Sequence, residues 1–192
     1  MDFILASSNN HKIAEFNEFF KDSKINILCP ENKISVLEDG SSFRENALKK
    51  AKSYFDKFQK PVLSDDSGLI VNSLSGELGI YSARFGGEGL NDKERAELLL
   101  QSLEGKADRS AYFICVLCFF LSDSEVYFFE GRSHGEIIHL YEGEDAFGYD
   151  PVFRGITQKE GYNFHNDKEY KDQHSHRYLA VKNALAFDLL AQ

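Results

Sequence analysis

The feature that most restricts the fold is a run of eight residues, Phe113-Ile114-Cys115-Val116-Leu117-Cys118-Phe119-Phe120, that is apolar apart from two thiols. An uninterrupted apolar stretch of this kind reads as a buried strand. It lies inside a longer β segment, Ala111 to Leu121. Ser122-Asp123-Ser124 then turns the chain into a second run, Val126 to Gly131, as a hairpin. A buried strand needs neighbours and cover, and the flanking sequence offers both.

The opening reads as strand, loop, helix. Phe3 to Ala6 is a short apolar strand, Ser7-Ser8-Asn9-Asn10 a polar turn rich in helix-capping residues, and Ile13, Phe16, Phe19 and Phe20 recur at helical spacing. Ile25 to Leu28 reads as a second strand, and residues 30–42 as an irregular loop. Ser42-Phe43-Arg44-Glu45 has the form of a capping box. The helix behind it turns Ala47, Leu48, Ala51, Phe55 and Phe58 inward. Pro61 ends that helix and Val62 to Ser64 begins a strand. Six glycines then punctuate residues 68–89, with Leu69-Ile70-Val71 as a short separate strand among them. Asn91 opens a helix striped by Ala96, Leu99, Leu100 and Leu103, and Gly135 to Leu140 forms a further strand. Residues 155–173 read as a polar loop. A last helix follows Ser175, with Leu179, Lys182, Ala186, Leu189 and Leu190 on one flank. Helices and strands interleaved at both ends of a β-rich middle indicate an α/β (mixed α+β) sheet protein. The 192 residues read as one domain spanning 1–192, or two lobes sharing a core around a cleft.

Composition narrows the function. With 42% hydrophobic residues, 17 Phe and 9 Tyr, the chain can bury a core without disulfide or metal staples. A net charge of −9 and the lack of a Lys/Arg-rich run exclude a general nucleic-acid binder, though a few local cations can still hold an anionic small molecule. Cys115-x-x-Cys118 could suggest redox or metal chemistry. In a strand, however, positions three apart face opposite sides, and no second Cys/His cluster completes a zinc site. The two read as core thiols in a reducing compartment. The N-terminus lacks the pattern of a signal peptide, and no apolar run approaches the ~20 residues that span a bilayer. A soluble cytoplasmic protein is the expectation.

Five short segments carry the chemistry. Ser7, Ser8, Asn9, Asn10, His11 and Lys12 lead from a strand into a helix N-terminus, where N–H groups, hydroxyls and one ammonium suit a phosphate; a plain helix cap is the alternative. The segment is not a Walker A loop. Ser64-Asp65-Asp66-Ser67-Gly68 puts two adjacent carboxylates at the C-terminal end of a strand, where α/β folds place ligands. Neighbouring side chains on a strand point apart. One of the two can then face Mg²⁺ and a water while the other braces its surroundings, unless the segment is only an Asp-rich turn. Glu38 lies in a loop and could be a second metal ligand. Glu45 is explained by the capping box, and Lys50 sits on the polar side of its helix. Phe147-Gly148-Tyr149-Asp150-Pro151 is either an ordinary turn or an aromatic-rich turn that stacks a base and accepts from a ring N–H. Lys171, His176 and Arg177 supply donors at the start of the last helix. His174 and His176 alone do not make a zinc site.

Taken together, these segments resemble the inosine/xanthosine triphosphate pyrophosphatase family. The matching pieces are Leu5-Ala6-Ser7-Ser8-Asn9 with Lys12; Ser42 to Ala47 with Lys50-Ala51; Ser64 to Leu69; Gly79 to Phe85; Phe147 to Phe153; and Ser175-His176-Arg177. They follow the family's order and span nearly the whole chain. The resemblance implies an elongated central mixed sheet with flanking helices, two lobes around a substrate cleft, and a homodimer. It implies that ITP, dITP and XTP are split to nucleoside monophosphate and pyrophosphate. By position, Asp66 is the proton acceptor and a Mg²⁺ ligand, Glu38 the other acid at the metal, and Asp65 a support. Ser7 to Lys12, Lys50 and Ser67 match the triphosphate and sugar contacts. Phe147, Gly148, Tyr149, Asp150, Lys171, His176 and Arg177 match the base pocket. The chain departs from the family pattern at Ser8, at His174 and across residues 155–168. The resulting picture sets the first loop, with Lys12, beside Asp66 around one polyphosphate tail. Base selectivity arises where His176 and Arg177 donate to a 6-oxo group, leaving the 6-amino group of ATP facing donors. Rival readings are a nucleotide sensor without catalysis, a related pyrophosphatase for pyrimidine or modified nucleotides, and an interaction domain.

Overall fold

A computed structural model describes residues 1–7, 9–30, 32, 34–144 and 146–187. Strand β1 (Asp2–Leu5) leads to helix α1 (Asn10–Phe20), β2 (Asn26–Leu28), α2 (Phe43–Phe58) and β3 (Val62–Val71). Two 3₁₀ turns (Asn72–Leu74, Gly79–Arg84) precede α3 (Asp92–Ser102), the strands β4 (Ser110–Ser122) and β5 (Glu125–Ile137), a third 3₁₀ turn (Asp150–Val152) and β6 (Phe153–Gly155). Helices α4 (Lys168–His174) and α5 (His176–Leu185) follow. The six strands form one mixed sheet in the order β2-β1-β3-β4-β5-β6. β1 is parallel to β2 and β3, and β5 is antiparallel to β6. Among the described residues, no helix is long and apolar enough to cross a membrane.

Contacts divide the chain into two compact units. The first comprises Met1–Ser67, Cys115–Gly131 and the segment from Arg177 onward; the second comprises Gly68–Ile114 and Arg132–His176. In the first unit, the period-two alternation of the strands sorts their side chains onto two faces. Phe3, Leu5, Leu63, Cys115, Leu117 and Phe119 pack with Phe16 and Phe20 of α1 and Ala180, Val181 and Ala184 of α5. Ile4, Ala6, Val62, Cys118 and Phe120 pack with Ala47, Ala51 and Tyr54 of α2. Cys115 and Cys118 thus fall on opposite faces, both buried, and burial pushes the Cys118 thiol up to about 12. The second unit has a separate core, in which the rings of Phe113, Phe153 and Phe164 meet one another, Phe164 stacked on Phe113 and edge-on to Phe153, in one cluster with Leu69, Leu99 and Leu103.

Several elements differ from the sequence reading, each for a physical reason. β3 is one ten-residue strand, so Asp65 and Asp66 lie within it and not at its end; their carboxylates find cations on both faces, and the strand need not stop. β5 runs unbroken through Gly135. A Cβ at Gly135 would come within 2.1 Å of the Arg154 carbonyl, so the glycine permits the close approach of β6 and does not break the strand. Residues 155–173 are not featureless. Buried Asn163 donates to the carbonyls of Glu142 and Pro151, buried Gln158 donates to the Asn163 carbonyl, and Asp167 caps α4. The buried stripe of α5 is Ala180-Val181-Ala184, offset from the expected flank; Leu189 and Leu190 lie outside the described residues. Ser42 caps α2 as anticipated, but the Glu45 carboxylate reaches back to Ser41. The full capping box belongs to Asn91 and Glu94 on α3.

Candidate functional site

The site is built around the middle of β3. Alternation sends Asp65 to the α1/α5 face and Asp66 to the α2 face, so two adjacent acids sit among different partners. Asp65 is 1% exposed. Its Oδ2 accepts from Lys12 Nζ at 2.7 Å and lies 3.9 Å from Arg177 Nε. Arg177, held by α5, also donates to Glu15 of α1 (3.0 Å) and to Ser67 Oγ (3.2 Å). Burial alone would push the Asp65 carboxyl up, but the charges of Lys12, Lys50 and Arg177 outweigh it and hold the group at about 2. At neutral pH Asp65 is ionised and braces Lys12 and Arg177.

Asp66 meets a different balance. Asn46 Nδ2 donates to its Oδ2 at 3.1 Å, Ser67 N–H donates to Oδ1 at 3.1 Å, and Lys50 Nζ stands 3.6 Å from Oδ1. Burial raises its carboxyl, Lys50 and Asn46 draw it down, and the negative charges of Glu38 and Asp65 push it up again. The result is about 6. Lys50 also donates to Glu38 Oε2 at 2.8 Å, so its ammonium spans the two acids. Burial lowers its affinity for a proton, but Asp65, Asp66 and Glu38 together hold it higher than usual. The helix that carries Lys50 and Asn46 starts at Ser42, whose hydroxyl accepts from Glu45 N–H, and Ala47 and Ala51 let it lie close on the sheet.

These donors suit a small hard cation. Glu38 and Asp66 both turn carboxylate oxygens toward Lys50, and the mutual repulsion of the acids is what a cation would relieve. Among the described residues no three His, Cys, Asp or Glu side chains converge as a closed metal cage. Mg²⁺ needs only one or two carboxylates when phosphate oxygens complete its shell.

The first loop corrects one expectation. Lys12 does not stand beside Asp66. Because β3 continues through both acids, the ammonium from α1 meets the acid on its own face, Asp65, and Lys50 takes the place beside Asp66. The N-terminal N–H groups of α1 also have partners: Asn9 Oδ1 accepts from His11 and Lys12, and Ser7 Oγ accepts from Asn9. Asn10 and His11 are exposed. Ser8 lies outside the described residues.

The remaining anticipated residues fall in the second unit. Gly148 (φ 57°) turns the chain in the left-handed region, and its N–H donates to Asp92 at the start of α3 (2.8 Å). Tyr149 is buried and its hydroxyl donates to the Ser82 carbonyl at 2.8 Å. Asp150 accepts from Lys171 at 2.8 Å, and the Lys171 ammonium lies 6.0 Å from the centre of the Phe147 ring. The His176 ring stacks on Phe113, with centroids 4.8 Å apart. Three residues of the site escaped the sequence reading. Asn46, although inside the matching piece Ser42 to Ala47, and Glu15 carry no sequence signal of their own on a helix, and Asp92 reads only as part of a helix start.

The chain matches the model of the Ham1 family over residues 3–187. It is 40% identical over 189 residues to a dITP/XTP pyrophosphatase of Staphylococcus aureus, covering 97% of this chain and 95% of that one. Its fold is similar to the solved structures of the Staphylococcus aureus Ham1 protein (TM-score 0.80, 37% identity, 98% of each chain) and of a HAM1 protein from Coxiella burnetii (TM-score 0.80, 31% identity, 97% of each chain). With its family model matched from Phe3 to Phe187 and full-length relatives at this level of identity, this chain belongs to the Ham1 family.

Proposed function

We propose that this chain hydrolyses aberrant purine nucleoside triphosphates, dITP, ITP and XTP, to nucleoside monophosphate and pyrophosphate, and so keeps them out of DNA and RNA. The observation that carries the reading is Asp66. It is a carboxylate held near 6, ionised at neutral pH and still basic enough to take a proton, with an ammonium between it and a second acid. The identity to dITP/XTP pyrophosphatases over nearly the full chain supports the substrate class.

In this mechanism Asp66 accepts the proton of the water that attacks the α-phosphorus. Lys50 keeps Glu38 and Asp66 apart in charge and contacts the phosphates. Asp65 holds Lys12 and Arg177 in place, so a phosphate reaching the first loop shares Lys12 with an acid already bound to it. Ser7, Asn9, the start of α1 and Ser67 align the triphosphate and sugar. Glu38 and Asp66 are the residues that would hold Mg²⁺, which when bound supplies charge neutralisation at the pyrophosphate leaving group. Phe147, Gly148, Tyr149, Asp150, Lys171, His176 and Arg177 recognise the base, with donors set against a 6-oxo group. A cytoplasmic homodimer completes the reading. The three free thiols support a reducing compartment, and sedimentation would show the dimer.

A nucleotide panel with pyrophosphate detection, with Mg²⁺ and then with EDTA, tests the proposal. Release from dITP and XTP well above that from ATP, lost with EDTA, is the expected result. Equal hydrolysis of dITP and ATP would overturn the base assignment. Binding without turnover would leave a nucleotide sensor.

A further inference from the structure

Asn46 lies on the inner side of α2, 1% exposed, among Ala47, Ala51 and Tyr54. An amide in such a place must use both its ends, and this one does. Nδ2 donates to Asp66 Oδ2 at 3.1 Å, while Oδ1 accepts the backbone N–H of Gly40 at 2.8 Å. The partners fix which end is which, because a carboxylate needs the NH₂ group and an N–H needs the oxygen.

Gly40 is pressed against this amide. A Cβ at position 40 would fall 2.6 Å from Asn46 Oδ1 and 2.9 Å from Glu45 Cβ, so the close approach requires a residue without a side chain. Gly40 follows Glu38 by two residues, and the Glu38 carboxylate shares Lys50 with Asp66. A single buried amide therefore ties the proton acceptor to the loop that carries the second acid.

We propose that Asn46 is a positioning residue: its amide fixes Asp66 Oδ2 and the Gly40 backbone in one frame, leaving Asp66 Oδ1 turned to Lys50 as the oxygen that accepts the proton. The inference rests on the pyrophosphatase function proposed above and deepens it. Asn46→Asp separates the two halves of the clamp. It keeps the acceptor for Gly40 N–H and replaces the donor by a second carboxylate facing Asp66. Gly40→Ala disturbs the clamp from the other side without altering either functional group.

The test assays both variants and the wild type for pyrophosphate release from dITP with Mg²⁺, and follows amide hydrogen exchange at position 40 in the metal-free proteins. Misplacing a catalytic group by a fraction of an ångström to an ångström is expected to lower kcat roughly 10- to 100-fold, with KM moving less than about twofold. The Gly40 N–H should exchange slowly in the wild type and in Asn46→Asp, and faster at that position in Gly40→Ala. Folded Asn46→Asp or Gly40→Ala with wild-type kcat would overturn the proposal, as would rapid exchange of Gly40 N–H in the wild type. If Asn46→Asp does not fold, Gly40→Ala and the wild-type exchange decide. A wild type that releases no pyrophosphate from any nucleotide would count against the proposed function, while exchange at Gly40 would still report on the clamp.

Discussion

Asp65 and Asp66 are consecutive residues of one strand, yet their carboxyls are held at about 2 and about 6. Both are buried, and burial is the largest influence on each and acts upward on both. What separates them is the company each face supplies. On the α1/α5 face Asp65 meets Lys12 in direct contact and Arg177 at 3.9 Å. On the α2 face Asp66 shares a single ammonium with Glu38 and has a neutral amide as its other side-chain partner. A strand's period of two thus gives two identical side chains different surroundings. In the mechanism proposed above, the acid with the lower affinity for a proton is the brace and the other the base.

Turnover gives the largest expected break in this comparison. Asp66→Asn should lower kcat by about 10²-fold or more with nucleotide binding retained, within the usual range for general acid–base catalysis. Asp65→Asn should leave an ionisable base in place and fall mainly through misplacement of Lys12 and Arg177. Near-normal turnover of Asp66→Asn at saturating dITP would remove Asp66 from the mechanism.

Stability should divide the two acids in opposite directions. Asp66 binds its proton more tightly folded than unfolded, so its ionised form weakens the fold above pH 6 by about 3 kcal/mol, and the penalty fades as pH falls from 6 toward 3.8. Asp65 binds its proton less tightly folded, so it contributes about 2 kcal/mol that is complete above pH 3.8 and is lost as pH falls toward 2. In the metal-free protein at pH 8, Asp66→Asn should therefore raise the urea midpoint and Asp65→Asn lower it. A shift of the same sign in both would mean that the faces do not differ as described.

This contrast was half legible in the sequence. That adjacent strand residues point apart is a matter of backbone geometry, and the double Asp announced one acid for chemistry and one for support. Which cation meets which acid was not legible, because it depends on whether β3 stops after Ser64 or continues. Nothing in Ser64-Asp65-Asp66-Ser67-Gly68 announces that buried ion pairs will carry a strand through five small or polar residues. The apolar run at 113–120 was plain for the opposite reason, since it has no polar group that needs a partner elsewhere. Asn46 was hidden because an Asn on an apolar helix face carries no periodic signal; only the position of Gly40 against it reveals the amide's use. The cap at Ser42 was legible, but spacing does not resolve that the Glu45 carboxylate closes on the N–H and hydroxyl of Ser41.

The second unit offers a milder comparison. Lys171 and Asp150 form another close ion pair, at 2.8 Å, with side chains 16% and 10% exposed. Asp150, like Asp65, has an ammonium in direct contact, where Asp66 has one at 3.6 Å, and this fits recognition better than proton transfer. Lys171→Met should leave chemistry intact and lower kcat/KM for dITP about tenfold, the consequence of one unpaired charged group of modest net worth. A loss of the size expected for Asp66→Asn would instead place Lys171 at the reacting phosphates.

The smallest effect tests the premise that the two faces of β3 differ in charge and not in packing. Cys115 lies in the layer shared with α1 and α5, and Cys118 in the layer shared with α2; both are fully buried and three residues apart on β4. Neither thiol has a role in the proposed chemistry, so each reports the tightness of its own layer. Cys115→Ala and Cys118→Ala each remove one buried sulfur, and each should cost about 1 kcal/mol in urea unfolding, the lower end of a large-to-small change in a core. Matched costs would locate the difference between Asp65 and Asp66 in the ammonium, guanidinium and amide groups around them. If Cys118→Ala proved far cheaper than Cys115→Ala, the α2 face would be the looser layer. Access of water to Asp66, and not the balance of its neighbours, would then have to be counted among the reasons its carboxyl sits near 6.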